Sequence, residues 1–202
     1  MPVISVYDFK PYFQKMLHPA LIWLVKKKIT ANMVTFAAII GSTAVGLLPA
    51  YVINNRWVLV ALPLWLLVRM ALNAIDGMLA REFNMVSNKG FYLNEIGDVV
   101  SDAVLYLPLA FFAHDALFAI SIFCLGAMLT EFCGVLPKAL GFSRRYEGPM
   151  GKSDRALWVG LILILTAFWP GMVKWWGYFF TTMVLLEIVT CFKRVRYGLK
   201  EV

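Results

Sequence analysis

Six long apolar segments dominate this 202-residue sequence and leave few choices of fold. They run over about residues 32–54, 57–82, 88–113, 115–139, 153–171 and 174–195, with short polar stretches between them. A helix needs about 20 apolar residues to cross a bilayer. Because 61% of the residues are hydrophobic and only 15% are charged, a soluble domain is excluded. The sequence therefore predicts an all-α integral membrane protein with six transmembrane helices in a single domain, residues 1–202.

An amphipathic segment precedes the six spans. Residues 5–25 carry apolar side chains at helical spacing on one face, namely Val6, Phe9, Phe13, Leu17, Ala20, Leu21 and Leu24. Pro19 is expected to kink or break this helix. Three lysines follow the segment, which predicts an amphipathic helix lying in the membrane interface. The start lacks the pattern of a signal peptide, so the N-terminus is expected to stay in the cytosol.

Lysine and arginine residues test the six-span arrangement. Sixteen of the 19 would lie on one side of the membrane and two, Arg56 and Lys174, on the other, with Arg69 inside a span. The positive-inside rule places the richer side and both termini in the cytosol of a bacterial-type inner or plasma membrane. Topology then explains the net charge of +7, and a nucleic-acid partner is not expected.

One stretch, residues 73–102, interrupts the apolar pattern with polar residues at helical spacing. Its polar positions include Asn73, Asp76, Asn94, Asp98 and Asp102. The first two are three residues apart and the last three step by four, so each set lies on one face of a helix. Two such faces, on helices joined by a short loop, can face each other. Ionisable groups inside apolar segments are costly, and they indicate an ion or substrate site.

The spacing in this stretch resembles D-x2-D-G-x2-A-R-x8-G-x3-D-x3-D, the motif of the CDP-alcohol phosphotransferase (phosphatidyltransferase) family. The chain matches that motif, with the eight-residue gap kept, at Asp76, Gly77, Ala80, Arg81, Gly90 and Asp98. Asn73 and Asn94 stand where the family has aspartates. A second stretch, Thr30-Ala-Asn-Met-Val-Thr35, is similar to the family's Pro-Asn-x-x-Thr at the start of the first span, with Asn32 and Thr35 matching.

The resemblance implies transfer of a phosphatidyl group from CDP-diacylglycerol to a small alcohol, with release of CMP. It implies a divalent cation, Mg²⁺ or Mn²⁺, at the four motif positions, here Asn73, Asp76, Asn94 and Asp98, with Asp98 as ligand or catalytic base. Nucleotide binding is implied for Asn32, Thr35, Asp76, Gly77, Ala80, Arg81 and Gly90. A homodimer is implied as well, since relatives often dimerise.

The two asparagines change what this site is expected to bind. An amide oxygen can approach a cation, but it adds no charge and does not bridge two ions as a carboxylate does. We therefore expect weaker metal binding, with one ion held in place of two. Asp102 and Glu95 are candidates to compensate. Arg69, one turn before Asn73, is expected either to contact phosphate or to form a structural salt bridge.

A basic cluster follows the fourth span and suggests what the acceptor carries. It consists of Lys138, Arg144, Arg145, Lys152 and Arg155. Basic residues in this region bind the acceptor's phosphate in family members with phosphorylated acceptors, so the cluster predicts an acceptor such as glycerol 3-phosphate or an inositol phosphate. Guanidinium forks suit a phosphate dianion. A topology signal or a contact with anionic lipid would produce the same cluster.

Other interpretations of the same residues stay open. The polar stretch would also suit a structural network tying two helices together. It would suit a weak or inactive family member that retains CDP-lipid binding. A membrane transporter is the third alternative, because carriers also coordinate ions on interrupted spans. Capping of the first span by Thr30 competes with nucleotide binding as the reason for the Thr30–Thr35 motif.

Overall fold

The structure, a computed structural model, describes residues 10–52 and 55–201, with the side chains of the first two excepted. Within those ranges the chain forms helices and connecting turns and no strand. The α-helices are α1 Lys10–Lys26, α2 Ala31–Gly46, α3 Leu48–Tyr51, α4 Val58–Glu82, α5 Asn88–Tyr106, α6 Leu117–Ala139, α7 Lys152–Phe168 and α8 Trp176–Gly198. The predicted all-α class is confirmed for this part of the chain. Val6 and Phe9 of the amphipathic pattern lie outside the described residues.

Four helical segments are long and apolar enough to cross a membrane. They are Ala31–Tyr51, Val58–Glu82, His114–Ala139 and Pro170–Gly198. They correspond to the first, second, fourth and sixth predicted spans. Helix α5 falls short of this measure because it carries Glu95, Asp98 and Asp102, and α7 has only 17 residues. The complete six-span arrangement stays a prediction.

Helix α1 packs on the other helices through its apolar face. Leu21 is fully buried in a cluster with Ala31 of α2 and Ile75 and Leu79 of α4. Sequence predicted a kink or a break at Pro19, and the helix runs through Pro19 without a break. Pro19 lies on the exposed side, so its ring does not disturb the packed face.

Polar side chains define the starts of three helices. Thr30 caps α2 by accepting a hydrogen bond from the Met33 amide, at 3.3 Å. Ser87 caps α5 in the same way, accepting from the Gly90 amide at 3.0 Å. At the start of α7, the Asp154 carboxylate accepts from the Gly151 amide at 3.1 Å. These caps satisfy amides that a helix leaves without partners in its first turn.

The bundle has an apolar half and a charged half. Buried rings of α5, α6 and α8 fill the apolar half, with ring centroids 5.4 Å apart for Tyr106 and Phe123 and 5.2 Å apart for Phe123 and Phe180. Helix α2 packs against both α4 and α5 in the other half. A Cβ atom at Gly97 would lie 2.5 Å from Ile39 Cδ1, so glycine allows α5 to approach α2 closely. This packing brings the Thr30–Thr35 motif beside the motif residues of α4.

Candidate functional site

The two motif carboxylates that this chain retains are both buried. Asp76 lies on α4 and Asp98 on α5, and their side chains are 6% and 5% exposed. Thr35 of α2 donates a hydrogen bond to Asp76 Oδ2 at 2.7 Å. Asn73 Nδ2 donates to Asp98 Oδ1 at 3.2 Å. The structure therefore brings together motif residues from three helices, which sequence separates by more than sixty positions.

Two side-chain cations hold the Asp98 carboxylate. Lys152 Nζ, at the start of α7, lies 2.5 Å from Asp98 Oδ2. A guanidinium nitrogen of Arg69 lies 3.3 Å from Asp98 Oδ1, and the other binds Asp102 Oδ1 at 2.5 Å. Arg69 is 1% exposed, so of its two expected roles the structure shows the salt bridge.

A cavity of about 830 Å³ opens in front of these residues. The residues named from sequence that line it are Asn32, Thr35, Asn73, Asp76, Gly77, Ala80, Arg81, Gly90, Asn94, Glu95, Lys138, Arg144 and Lys152. Asp98 lies just behind the wall, in contact with Asn73 and Lys152. Every predicted nucleotide-binding residue thus lies at one cavity.

Two motif glycines leave room for polar neighbours. A Cβ atom at Gly90 would lie 2.6 Å from Asn32 Oδ1 and 3.0 Å from Ser87 Oγ, so glycine lets the Asn32 amide approach α5. A Cβ atom at Gly77 would lie 3.3 Å from a guanidinium nitrogen of Arg81. The lack of a side chain at these positions keeps Asn32 and Arg81 at the cavity wall.

Three helix N-termini converge on the cavity. Its lining includes Ala31 at the start of α2, Ser87 before α5, and Gly151 and Lys152 at the start of α7. Helix N-termini carry partial positive charge and amides that lack partners within the helix, which favours anions. The cavity is therefore suited to a phosphate-bearing ligand.

An apolar groove continues from the polar end of the cavity. It is formed by Leu66, Leu67 and Met70 of α4 and by Leu157 and Leu161 of α7. Leu67 is 68% exposed and Leu157 is 51% exposed, so the groove opens to the outside of the bundle. A ligand with a charged head and an apolar tail would match this arrangement.

The predicted basic cluster divides into residues at the cavity and residues away from it. Arg144 lines the cavity, binding Glu131 Oε2 at 2.7 Å and also Glu95. Burial opposes the charge of Arg144, but Glu131 and Glu95 outweigh burial and hold its pKa above the ordinary value. The Lys138 ammonium lies 3.9 Å from the centre of the Phe91 ring, a cation–π contact.

Arg145 and Arg155 do not line the cavity, contrary to the grouping made from sequence. Arg145 forms ion pairs with Glu147 and Glu201 on the surface. Arg155 is fully buried and binds Asp102 Oδ2 at 2.8 Å and Glu131 Oε1 at 2.9 Å. Their carboxylate partners hold both guanidinium groups outside the cavity lining, whereas Arg144 lies in that lining although it too is paired with carboxylates.

The two carboxylates expected to compensate for the asparagines, Asp102 and the cavity residue Glu95, are both paired with arginines. Asp102 is paired with Arg69 and Arg155, and Glu95 is paired with Arg144. Each therefore has its charge already balanced. The cavity gains no free carboxylate from either residue.

The cavity residues missed from sequence include two buried charges, Glu131 on α6 and Arg194 on α8. Glu131 is 6% exposed and Arg194 is 3% exposed, and both line the cavity. Arg194 donates to the Thr130 carbonyl oxygen at 2.5 Å. A lone charge in an apolar segment was the signal that would have identified Glu131, since such groups indicate functional sites.

The donor set fits a single divalent cation. No group of three or more His, Cys, Asp or Glu side chains suited to a metal occurs in residues 10–52 and 55–201. Among the residues that the structure describes, Asp76 has no side-chain cation bound to it, while Asp98 is held by two. Mg²⁺ is commonly bound through one or two carboxylates together with substrate phosphates. Asp76, with amide oxygens from Asn73 and Asn94, would provide the residues to hold one such ion together with a substrate phosphate.

Comparison with known proteins gives one family and one fold. A family model described as CDP-alcohol phosphatidyltransferase matches residues 28–189. Inner membrane protein YnbA of Escherichia coli K12 is 42% identical over 195 residues, covering 96% of each chain.

Two crystal structures of the Mycobacterium tuberculosis phosphatidylinositol phosphate synthase PgsA1 share the fold. The structure with CDP-DAG bound has a TM-score of 0.75 at 18% identity and covers 91% of this chain and 94% of that one. The structure with manganese and citrate has a TM-score of 0.73 at 18% identity and covers 90% of this chain and 88% of the other.

Proposed function

The chain belongs to the CDP-alcohol phosphatidyltransferase family, and from that premise we propose that it transfers the phosphatidyl group of CDP-diacylglycerol to a small, phosphorylated alcohol, releasing CMP. The cavity carries this proposal, because it joins the motif residues to an apolar groove. A CDP-linked lipid has the matching parts, a nucleotide, a diphosphate and acyl chains. The bound CDP-DAG of the Mycobacterium tuberculosis structure supports the choice of donor.

Each part of the donor has a place in this proposal. The diphosphate lies at the converging N-termini of α2, α5 and α7. Asn32, Gly90 and Arg81 border the cytidine, and Thr35 orients Asp76 through its hydrogen bond. The acyl chains lie in the groove between α4 and α7. A single divalent cation, Mg²⁺ or Mn²⁺, held at Asp76, would neutralise diphosphate charge.

Asp98 is the proposed general base of the transfer. The acceptor oxygen attacks the phosphorus that carries diacylglycerol, the bond from that phosphorus to the CMP oxygen breaks, and the hydroxyl proton passes to Asp98. Asn73 and Arg69 hold Asp98 Oδ1, at 3.2 and 3.3 Å. They therefore orient the carboxylate. Its other oxygen, Oδ2, binds Lys152, which lines the cavity.

The proposed setting is a bacterial inner membrane with the cavity open to the cytosol. The E. coli relative is named an inner membrane protein, which supports this location. In the proposed topology α5 and α7 join the four apolar segments as spans, and α1 lies along the interface. The homodimer implied by the family stays a prediction.

Release of CMP tests the function directly. The purified chain in detergent should form CMP from CDP-diacylglycerol and glycerol 3-phosphate or an inositol phosphate, in the presence of Mg²⁺ or Mn²⁺. A transporter would do nothing without a sealed bilayer. Binding of CDP-diacylglycerol without CMP release from any phosphorylated or free alcohol would instead identify an inactive family member.

Topology makes a separate prediction. A cysteine placed at the exposed Ser143, in a background without native cysteines, should be protected from membrane-impermeant maleimide in intact cells. Lys174→Cys, at the other end of the bundle, is the matched position and should be labelled. Labelling of Ser143→Cys from outside would contradict a cytosolic cavity.

If the acceptor phosphate binds at Arg144, replacing Arg144 and replacing its neighbour Arg145 should have different effects on acceptor binding. Arg144→Gln should raise the KM for the phosphorylated acceptor about tenfold or more, because a hydrogen bond to a charged group contributes about 1.5–3 kcal/mol. The KM for CDP-diacylglycerol should change little. Arg145→Gln is the matched control, since its guanidinium binds Glu147 and Glu201 away from the cavity. Equal effects on both substrates, or equal effects of both variants, would contradict an acceptor site at Arg144.

A further inference from the structure

Asp98 is surrounded by donors in this chain, whereas the family motif surrounds it with carboxylates. It accepts hydrogen bonds from Lys152 at 2.5 Å, Asn73 at 3.2 Å and Arg69 at 3.3 Å. Lys152 binds Asp98 alone among the carboxylates that the structure describes, whereas Arg69 divides its charge between Asp98 and Asp102. The charge that a metal ion would bring to this side of the site is therefore already supplied by side chains.

Asn73 makes this arrangement possible. An aspartate at this position would place a second carboxylate about 3 Å from Asp98, and two carboxylates at that distance cannot both stay ionised without a cation between them. The asparagine amide donates to Asp98 and removes that requirement. Asn94 lines the cavity at the other position where the family motif has an aspartate, so a second motif carboxylate is missing there.

Lys152 is the cation that a ligand can reach. It is the first residue of α7 and lines the cavity, and its side chain is 23% exposed, whereas that of Arg69 is 1% exposed. A lysine ammonium has three donors on a flexible stem, so it can exchange one anionic partner for another. An entering diphosphate would present such a partner.

We propose that Lys152 supplies to the donor's diphosphate the positive charge that a second divalent ion would otherwise bring. This inference rests on the proposed function and deepens it. When the diphosphate enters, the Lys152 ammonium moves from Asp98 to a phosphate oxygen and leaves Asp98 Oδ2 free for the acceptor hydroxyl. Lys152 therefore acts on the donor, whereas the sequence alone grouped it with the acceptor site.

CDP binding without metal provides the first test. Calorimetry of CDP with the full chain in detergent should show binding in excess EDTA that is within about tenfold of that in excess Mg²⁺. Lys152→Met should weaken CDP binding in EDTA by about tenfold or more, which is the usual effect of losing a hydrogen bond to a charged group. Lys152→Arg should keep most of it.

Lys200→Met is the matched control. It removes the same amount of charge, but Lys200 is exposed and does not line the cavity, and its ammonium lies 5.2 Å from the centre of the Tyr197 ring. CDP binding in EDTA should therefore stay within about twofold of the parent. An equal loss in both lysine variants would assign the effect to the net charge of the chain and overturn the proposal.

A reconstructed motif provides the second test. The variant with Asn73→Asp, Asn94→Asp and Lys152→Met should bind Mn²⁺ more tightly than the parent and should bind CDP only when metal is present. Bound Mn²⁺ can be counted by electron paramagnetic resonance, which does not depend on activity. Asn73→Asp with Asn94→Asp alone should give an intermediate Mn²⁺ affinity, because Lys152 still repels the ion.

The outcomes separate the two proposals. A loss of more than about tenfold in CDP binding by the parent, when EDTA replaces Mg²⁺, overturns the role of Lys152 even if no variant folds. CDP binding by Lys152→Met equal to that of the parent does the same, and CMP release by the parent would still support the transferase. Failure of the parent to bind CDP with or without metal would overturn both.

Discussion

Replacing Asp98 with asparagine should reduce CMP release by roughly two to four orders of magnitude, the usual contribution of a general base. The amide keeps the shape of the side chain but takes no proton from the acceptor hydroxyl. Arg69 and Lys152 would then face a neutral group, which strengthens the binding of an anionic donor rather than weakening it. Steady-state kinetics should therefore show a fall in kcat with a KM for CDP-diacylglycerol that is unchanged or lower.

Asp115→Asn is the matched control for this prediction. Asp115 is exposed near the start of α6, at the opposite end of the bundle from the cavity. Its replacement should leave CMP release within about twofold of the parent. Activity of Asp98→Asn within threefold of the parent would contradict the assignment of the base, as would a loss confined to the KM.

Relative to a motif with four aspartates, the two asparagines remove negative charge from the site, and the nearby lysine and arginine add positive charge to it. Asp76, Asp98 and Asp102 contribute three negative charges, and Lys152, Arg69 and Arg155 contribute three positive charges. A motif with four aspartates would be strongly negative and would need metal ions to coexist with a diphosphate. This chain reaches an approximate balance with its own side chains. Arg69 cannot leave its place, because it also binds Asp102 at 2.5 Å, so Lys152 is the adjustable member of the set.

Sequence patterns predicted the family and the helical class, and both are confirmed. They also predicted which residues meet at the cavity, since residues spaced by three or four on α4 and α5 must share a face. Asn32 and Thr35 were placed correctly beside that face, because α2 packs against both helices. The functional roles of these residues stay predictions.

The sequence could not show which residues of the basic cluster after α6 line the cavity. The periodicity of a sequence shows which way a side chain points only where the chain is helical. Arg144 and Arg145 lie in a loop between α6 and α7. The direction of Arg144 depends on Glu131 and on Glu95, 49 residues away, and the direction of Arg145 depends on Glu147 and on Glu201, 56 residues away. The contact of Lys152 with Asp98 likewise joins residues 54 positions apart. Such pairings follow from tertiary packing and leave no local pattern.

Arg155→Met should produce the largest loss of stability. The Arg155 guanidinium is fully buried and donates to Asp102, to Glu131 and to Thr130 Oγ1 at 2.7 Å, and also to the Met150 carbonyl oxygen at 3.2 Å. Removing one partner of a buried ion pair costs about 3–5 kcal/mol, because the remaining charge is left without compensation. We expect the lower end of that range, since Asp102 still binds Arg69 and Glu131 still binds Arg144.

The melting temperature in detergent, followed by size-exclusion chromatography with fluorescence detection, measures this effect. Arg145→Met is the matched control, because its ion pairs lie at the surface, where water and salt screen them. It should melt close to the parent. Arg155→Met combined with Glu131→Gln should recover part of the loss, since the second change removes one of the two carboxylates left buried. A melting temperature for Arg155→Met equal to that of Arg145→Met would show that the buried network contributes little to the fold.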